Sequence, residues 1–148
     1  MTISVGSAAP PVAGVVAGSP HALVFYKVTC PTCQMAAPAL DRFERGYRGR
    51  MIGVGQDPIG TLKRFSETFG MTFPSMSDEK PYEASNAYDI EHVPTLFVVD
   101  GGGIVADVVE SWDRKGYNRA SRTLAGLLGA DAMVISEPSD GLPEFRPG

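Results

Sequence analysis

Residues 22–40 of the chain read ALVFYKVTCPTCQMAAPAL. The part from Ala22 to Val28 is a short apolar run of the kind that forms a buried strand. Pro31 then suits the first position of a helix, and apolar residues recur beyond it at three- and four-residue spacing. The stretch therefore predicts a buried strand that leads directly into a helix, with a Cys-Pro-Thr-Cys sequence at the junction.

The two cysteines of the chain, Cys30 and Cys33, both lie in that tetrapeptide. A bridge between them would close a very small loop and would constrain the unfolded chain little, so the pair is poorly suited to stapling a fold. Near a helix N-terminus, unpaired backbone N–H groups and the positive end of the helix dipole favour a thiolate. We predict that Cys30 is an exposed thiolate of low pKa. Such a thiolate can attack a disulfide, and a second thiol one turn away can resolve the mixed disulfide.

Two other interpretations of the cysteine pair remain open: an inert buried couple, or half of a metal site. Zinc would need two further ligands, and the chain offers only His21 and His92, without finger-like spacing. No metal and no cofactor are predicted.

A second motif, Val93-Pro94-Thr95, immediately precedes an apolar strand. Because proline cannot donate to a central ladder, its position needs a reason. We predict a cis Val93–Pro94 bond at the strand entrance, which would leave the Val93 backbone free to pair with an extended substrate.

Strands alternate with helices along the rest of the chain, which predicts an α/β fold with a central mixed sheet and helices on both faces. Residues 1–20 are predicted to be an irregular lead-in, 21–130 the folded domain, and 131–148 a loosely ordered tail rich in proline and glycine. Further strands are predicted at 51–54, 95–99 and 104–109, an extended piece at 72–76, and helices at 61–69, 81–88 and 115–128, the last with Tyr117, Leu124, Leu127 and Leu128 inside.

Charge and composition exclude several classes of protein. Lys and Arg number 13 against 17 Asp and Glu, so the net charge is −4, which argues against a nucleic-acid or anionic membrane surface as partner. The longest apolar runs fall far short of the roughly 18 residues of a membrane span. The first 26 residues contain no Lys or Arg, and no signal peptide is visible. We expect a cytoplasmic protein, or one outside the cytoplasm if a leader has been removed.

The segment Cys30–Leu40 resembles the active-site segment of thioredoxin, and Tyr88–Leu96 with Gly102 resembles its cis-proline segment and hairpin. The two motifs lie 64 residues apart (94 − 30), more than in thioredoxin itself. The extra strand and helix at about 56–88 resemble an insertion of the TlpA/ResA-like thiol–disulfide oxidoreductases and of their neighbours, the AhpC/TSA-like redoxins.

The resemblance implies a thioredoxin fold and thiol–disulfide exchange with protein disulfides, re-reduced by an electron-donor thiol protein. Cys30 would be the nucleophile and Cys33 the resolving thiol. It also implies that Pro31, Thr32 and Pro94 tune the redox properties of the pair.

In the second motif, the resemblance implies that a cis Pro94 packs against the cysteines and that Val93 contacts the substrate backbone. Relatives carry buried acidic or amide residues where this chain has Val24 and Ala36. Either Cys33 would lose its proton slowly, or Asp57 or another acid would assist it.

Two alternative functions remain. The first is a thiol peroxidase in which Cys30 attacks a hydroperoxide and Cys33 resolves the sulfenic acid. Peroxidase relatives place Thr or Ser three residues before the reactive cysteine, where this chain has Lys27. The second is a thioredoxin-fold binding module without catalytic activity.

Overall fold

The computed structural model describes residues 1–148 and contains seven strands and four α-helices. In chain order these are β1 (His21–Tyr26), α1 (Pro31–Gly46), β2 (Met51–Gly55), α2 (Ile59–Phe69), β3 (Ser75–Ser77), α3 (Glu83–Ala87), β4 (Thr95–Val99), β5 (Val105–Glu110), β6 (Trp112–Asp113), α4 (Arg114–Leu128) and β7 (Phe145–Arg146).

Five strands form the central sheet in the order β3-β2-β1-β4-β5. β1 pairs in parallel with β2 and antiparallel with β4, so the sheet is mixed. The predicted fold class is confirmed, and α2, β3 and α3 form the predicted insertion. No helix of the structure combines the length and the apolar character that a bilayer crossing requires.

The central position of β1 follows from its side chains, since every residue from Ala22 to Tyr26 is buried. Apolar side chains on both faces are typical of a strand covered on both sides of a sheet. Phe25 contributes to an aromatic cluster with Tyr88 and Phe97, at ring centroid distances of 4.9 and 5.6 Å. This cluster packs β1 and β4 against the segment that follows α3.

The register between β1 and β4 brings the two sequence motifs to the same edge of the sheet. Phe25 near the end of β1 lies opposite Thr95 at the start of β4. Because the strands are antiparallel, the loop that leaves β1 and the loop that enters β4 meet there. The first loop carries Cys30 and the second carries Val93 and Pro94.

The C-terminal segment differs from the prediction of a loosely ordered tail. It returns along α4, where Ile135 and Ser136 are buried, makes a 3₁₀ turn at Pro138–Asp140, and ends in β7, which pairs with β6. Side chains of α4 supply the partners that an isolated polar tail lacks. The amide oxygen of Asn118 accepts the N–H of Ile135 at 2.8 Å, and the Arg114 guanidinium donates to Leu142 O at 2.6 Å.

One residue of α4 was placed wrongly by the sequence pattern. Leu127 was predicted to face the interior, but its side chain is 40% exposed, whereas Tyr117 and Leu124 are buried as expected. Leu128, in the same last turn, is partly buried against the core, so only Leu127 departs from the predicted apolar face.

Candidate active site at the junction of β1 and α1

Cys30 is the N-cap residue of α1, as its position in the sequence predicted. Its backbone is extended (φ −85°, ψ 112°), and its sulfur accepts the backbone N–H of Cys33 at 3.1 Å. The sulfur thus occupies the place that a Ser or Asp oxygen takes at other helix N-termini. A thiolate there satisfies one of the unpaired N–H groups of the first turn.

The environment of Cys30 favours its charged form. The pKa of Cys30 is lowered to about 6, and the main cause is a hydrogen bond from the Cys33 thiol. Burial opposes this shift. The backbone N–H groups of Cys33 and Thr32 and the charge of Lys27 lower the pKa further. The prediction of a low pKa is supported. The prediction of exposure is wrong, because Cys30 is only 5% exposed.

Cys33 has the opposite character. It is 1% exposed. Burial, followed by the hydrogen bond that its thiol gives to Cys30, raises the pKa of Cys33 far above that of an ordinary thiol. Both cysteines are free in this structure. At neutral pH the pair therefore consists of one thiolate and one thiol that donates to it, an arrangement suited to attack by Cys30 first.

The Val93–Pro94 peptide bond is cis, as predicted. The carbonyl oxygen of Val93 lies 3.3 Å from the sulfur of Cys30, and only the protonated form of Cys30 can donate to it. On the other side of this bond, the carbonyl of Pro94 accepts the N–H of Ser111 at 2.8 Å. The structure thus brings the cysteine motif and the proline motif into direct contact.

Side chains around the β1–α1 loop hold its backbone. The carboxylate of Asp57 accepts the N–H of Val28 at 2.9 Å, and Gln34 donates from its amide to Val28 O at 2.9 Å. Asp57 was predicted to assist Cys33. Its side chain is hydrogen-bonded instead to the backbone that leads into Cys30, so a role toward Cys33 stays a prediction.

The end of the chain also reaches this site, which the sequence did not indicate. Thr32 donates from its hydroxyl to the carbonyl oxygen of Pro147 at 2.7 Å, and the N–H of Gly148 donates to the Ser111 hydroxyl at 3.0 Å. Gly148 lies so close to Val93 that a Cβ atom on Gly148 would collide with the Val93 carbonyl.

Ser111 is a site residue that sequence reasoning missed. It is buried and has a positive φ of 65°. The structure pairs Thr95 with Glu110, the last residue of β5, so Ser111 follows opposite Pro94. A β-bulge earlier in the hairpin shifts this register by one residue, so counting from the turn would have put Glu110 there and would have missed Ser111.

Tyr117 on α4 is buried, as predicted, and its hydroxyl is buried with the ring. Its ring packs on Trp112 at a centroid distance of 4.6 Å, and its buried hydroxyl has no hydrogen-bond partner. Burial, with a smaller contribution from the charges of Cys33 and Cys30, raises the pKa of Tyr117 well above its usual range.

The contacts of the two histidines do not involve the cysteines. His21 Nδ1 contacts Ser19 O at 2.8 Å, and His92 Nε2 lies 4.0 Å from Glu110. No group of three or more His, Cys, Asp or Glu side chains is arranged to hold a metal ion.

Comparison with known proteins gives one family and several relatives. The family model of the AhpC/TSA family matches residues 13–108. The thiol-disulfide oxidoreductase ResA of Geobacillus kaustophilus is 27% identical over 92 residues, which are 59% of this chain and 52% of that protein. The chain spans about half the length of the curated relatives it matches.

Solved structures share the fold of this chain. One is a Chlorobium tepidum protein assigned as the thiol:disulfide interchange protein DsbE, with a TM-score of 0.74, 20% identity and coverage of 86% of this chain and 100% of the other. Another is a secreted Mycobacterium tuberculosis disulfide oxidoreductase, with a TM-score of 0.62, 19% identity and coverage of 75% and 84%. At these identities the comparison supports the thioredoxin-type fold alone.

Proposed function

The chain belongs to the AhpC/TSA family, and on that premise we propose that it is a thiol–disulfide oxidoreductase that exchanges electrons with protein disulfides. The observation that carries the proposal is the difference in pKa between the two sulfurs. Cys30 has a pKa of about 6, whereas Cys33 stays protonated, and Cys30 lies 3.3 Å from the Val93 carbonyl. The matched ResA proteins are themselves named thiol-disulfide oxidoreductases.

In the first step the Cys30 thiolate attacks one sulfur of a substrate disulfide. A bond forms between Cys30 and that sulfur, the substrate S–S bond breaks, and the second substrate sulfur leaves as a thiolate that takes a proton. The hydrogen bond from the Cys33 thiol, together with backbone N–H groups of the first helical turn, stabilises the attacking thiolate.

In the second step Cys33 loses its proton and attacks the sulfur of Cys30. The Cys30–Cys33 disulfide forms, and the first substrate sulfur leaves as a thiol. The substrate has then gained two electrons and the protein has lost two. A donor dithiol protein returns the pair to the reduced state by the same exchange in the opposite direction.

The neighbouring residues have positioning and tuning roles in this proposal. Thr32 supports the Cys30 thiolate through its backbone N–H, and Pro31 begins the helix on which that N–H lies. Pro94 holds the Val93 carbonyl against Cys30, and the Val93 backbone pairs with the substrate. Thr32 and Pro31 therefore act on the reactivity of Cys30, whereas Pro94 and Val93 position the substrate.

The proposed activity is compatible with a location inside or outside the cytoplasm. A cytoplasmic location was expected from the start of the sequence, whereas one structural neighbour is described as secreted. Thiol–disulfide exchange operates in either setting, as a transient reaction in the cytosol or a lasting one outside it. Fractionation of the native host with an antibody against the chain decides between them.

Dithiothreitol-driven reduction of insulin tests the function. We expect the wild-type chain to accelerate insulin precipitation and expect both Cys30→Ser and Cys33→Ser to lose that activity. Arg122→Met, on the exposed face of α4, is the control and should keep it. Consumption of hydrogen peroxide without reduction of insulin would indicate a peroxidase instead, and no turnover of either kind would indicate a binding module.

A further inference from the structure

The last five residues, Glu144–Gly148, lie across the cysteine site, and we call them the cover segment. Three contacts hold its end there: the Thr32 hydroxyl on Pro147 O, the Ser111 hydroxyl on the Gly148 N–H, and the close approach of Gly148 to the Val93 carbonyl. That same carbonyl is the one that Cys30 contacts. The cover segment and the nucleophile therefore share one partner.

These contacts are made to the main chain of the cover segment. Thr32 binds a carbonyl oxygen and Ser111 binds an N–H, so any extended peptide could make both hydrogen bonds. The segment itself is extended, since Phe145 and Arg146 form β7. Recognition through main-chain hydrogen bonds at a strand is a recurrent way of binding peptides of varied sequence.

We propose that Thr32, Val93 and Ser111 form a groove for the backbone of an extended peptide, and that the cover segment occupies this groove until a substrate displaces it. This inference rests on the proposed function and names the form in which the substrate binds. It explains why Cys30 is buried although its low pKa suits it for attack. It also assigns Ser111 as a positioning residue for substrate.

Main-chain hydrogen bonds hold the cover segment, including its pairing with β6 and the bond from the Arg114 N–H to Glu144 O at 2.9 Å. The Phe145 side chain is 58% exposed, so little apolar surface is buried by the segment. The residues before it are held separately, because Trp112 Nε1 donates to Pro143 O at 2.7 Å and the Arg114 guanidinium donates to Leu142 O at 2.6 Å. A few main-chain hydrogen bonds without an apolar core are typical of segments that open locally.

This separation gives a direct test. A chain that ends at Pro143 keeps both anchoring contacts and lacks only the cover segment. Alkylation of reduced Cys30 by iodoacetamide at pH 7, read by mass spectrometry, should be about tenfold faster in this variant, since the site would no longer be closed for most of the time. A peptide with the sequence of residues 144–148, added in excess, should slow the reaction again.

Two further variants control the experiment. Gly148→Val places a side chain against the Val93 carbonyl and should also speed alkylation, because the segment can no longer seat. Arg122→Met, on the exposed face of α4 and outside the cover segment, should leave the rate unchanged. Far-UV circular dichroism and cooperative guanidinium denaturation report that the truncated chain is folded. An alkylation rate within twofold of wild type in the folded truncated chain would overturn the proposal.

Insulin reduction separates this proposal from the proposed function. If both stand, the truncated chain has a lower KM for insulin than the full chain. If alkylation accelerates while neither chain reduces insulin, the groove is occupied by the cover segment but the proposed function fails. If insulin is reduced with the same KM by both chains and alkylation is unchanged, the function stands and the cover segment is not a competitor.

Discussion

At the scale of single residues, the site depends on one sulfur atom that serves two purposes. As the N-cap of α1, Cys30 accepts a helix N–H that would otherwise lack a partner. The hydrogen bond from the Cys33 thiol lowers the pKa of Cys30 most, and this backbone N–H lowers it further. Structural stability and reactivity are therefore linked at this residue, because the form that caps the helix best is the thiolate. Cys33, one turn along, is buried and keeps its proton as the donor to Cys30.

Tyr117 gives a prediction at this scale. Its hydroxyl is buried without a partner, which is unfavourable in the folded state. Tyr117→Phe should therefore raise the free energy of unfolding by about 1 kcal/mol, measured by guanidinium denaturation of the reduced protein. Tyr47→Phe is the matched control: its hydroxyl accepts the N–H of Met133 at 2.9 Å, so that variant should lose about 1–2 kcal/mol. A loss of stability in Tyr117→Phe would show that the hydroxyl has a partner.

Residues whose role depends on local sequence could be predicted, and those whose role depends on distant contacts could not. Cys30 as N-cap follows from the strand and the proline around it, and the cis bond before Pro94 follows from its place at a strand entrance. The hydrogen bond between Thr32 and Pro147 joins residues 115 positions apart. No pattern near residue 30 indicates that Gly148 approaches the Val93 carbonyl, which Cys30 also contacts.

At the scale of elements, the strand β1 and the helix α1 could be read from hydrophobic periodicity, and the site forms where the one leads into the other. The pairing of β6 with β7 could not, because two-residue strands have no periodicity to detect. The proline and glycine content of the tail indicated disorder, but the polar side chains of α4 give its backbone specific partners. Arg114 is the clearest case, since it is buried and joins Ser136, Asp140 and Leu142.

Arg114 therefore carries the prediction for this scale. Arg114→Met removes hydrogen bonds to Ser136 and Leu142 and leaves Asp140 without that cation, so we expect a loss of about 3 kcal/mol in the free energy of unfolding. Arg122→Met on the exposed face of the same helix is the control and should change stability by less than about 0.5 kcal/mol. Equal effects of the two substitutions would contradict the assignment of Arg114 as the anchor of the tail.

At the scale of the whole molecule, the low pKa of Cys30 makes the stability of the reduced protein depend on pH. The pKa of this thiol is about 6 in the folded state and about 9 for an ordinary thiol, so between these values the unfolded chain holds a proton that the folded chain has released. Folding is then favoured as pH rises through this range, and the gain is lost as pH falls through 6.

We expect the difference in unfolding free energy between the reduced wild type and Cys30→Ser to grow by about 1–2 kcal/mol from pH 5.5 to pH 8.5. The full pKa difference would carry roughly 4 kcal/mol, and solvent screening reduces it. Groups such as the N-terminal amine titrate in both chains and cancel in the difference. Denaturation at several pH values measures it, and a difference that is flat or falls with pH would contradict a thiolate at the helix N-terminus.

The most direct measurement for the central claim is the trapping of the mixed disulfide. Reduced Cys33→Ser and Cys30→Ser chains are each exposed to insulin, quenched with acid, digested and examined by mass spectrometry. The account predicts a stable adduct on Cys30 in the first variant and little or none on Cys33 in the second. An adduct that forms on Cys33 as readily as on Cys30, or on neither, would contradict it.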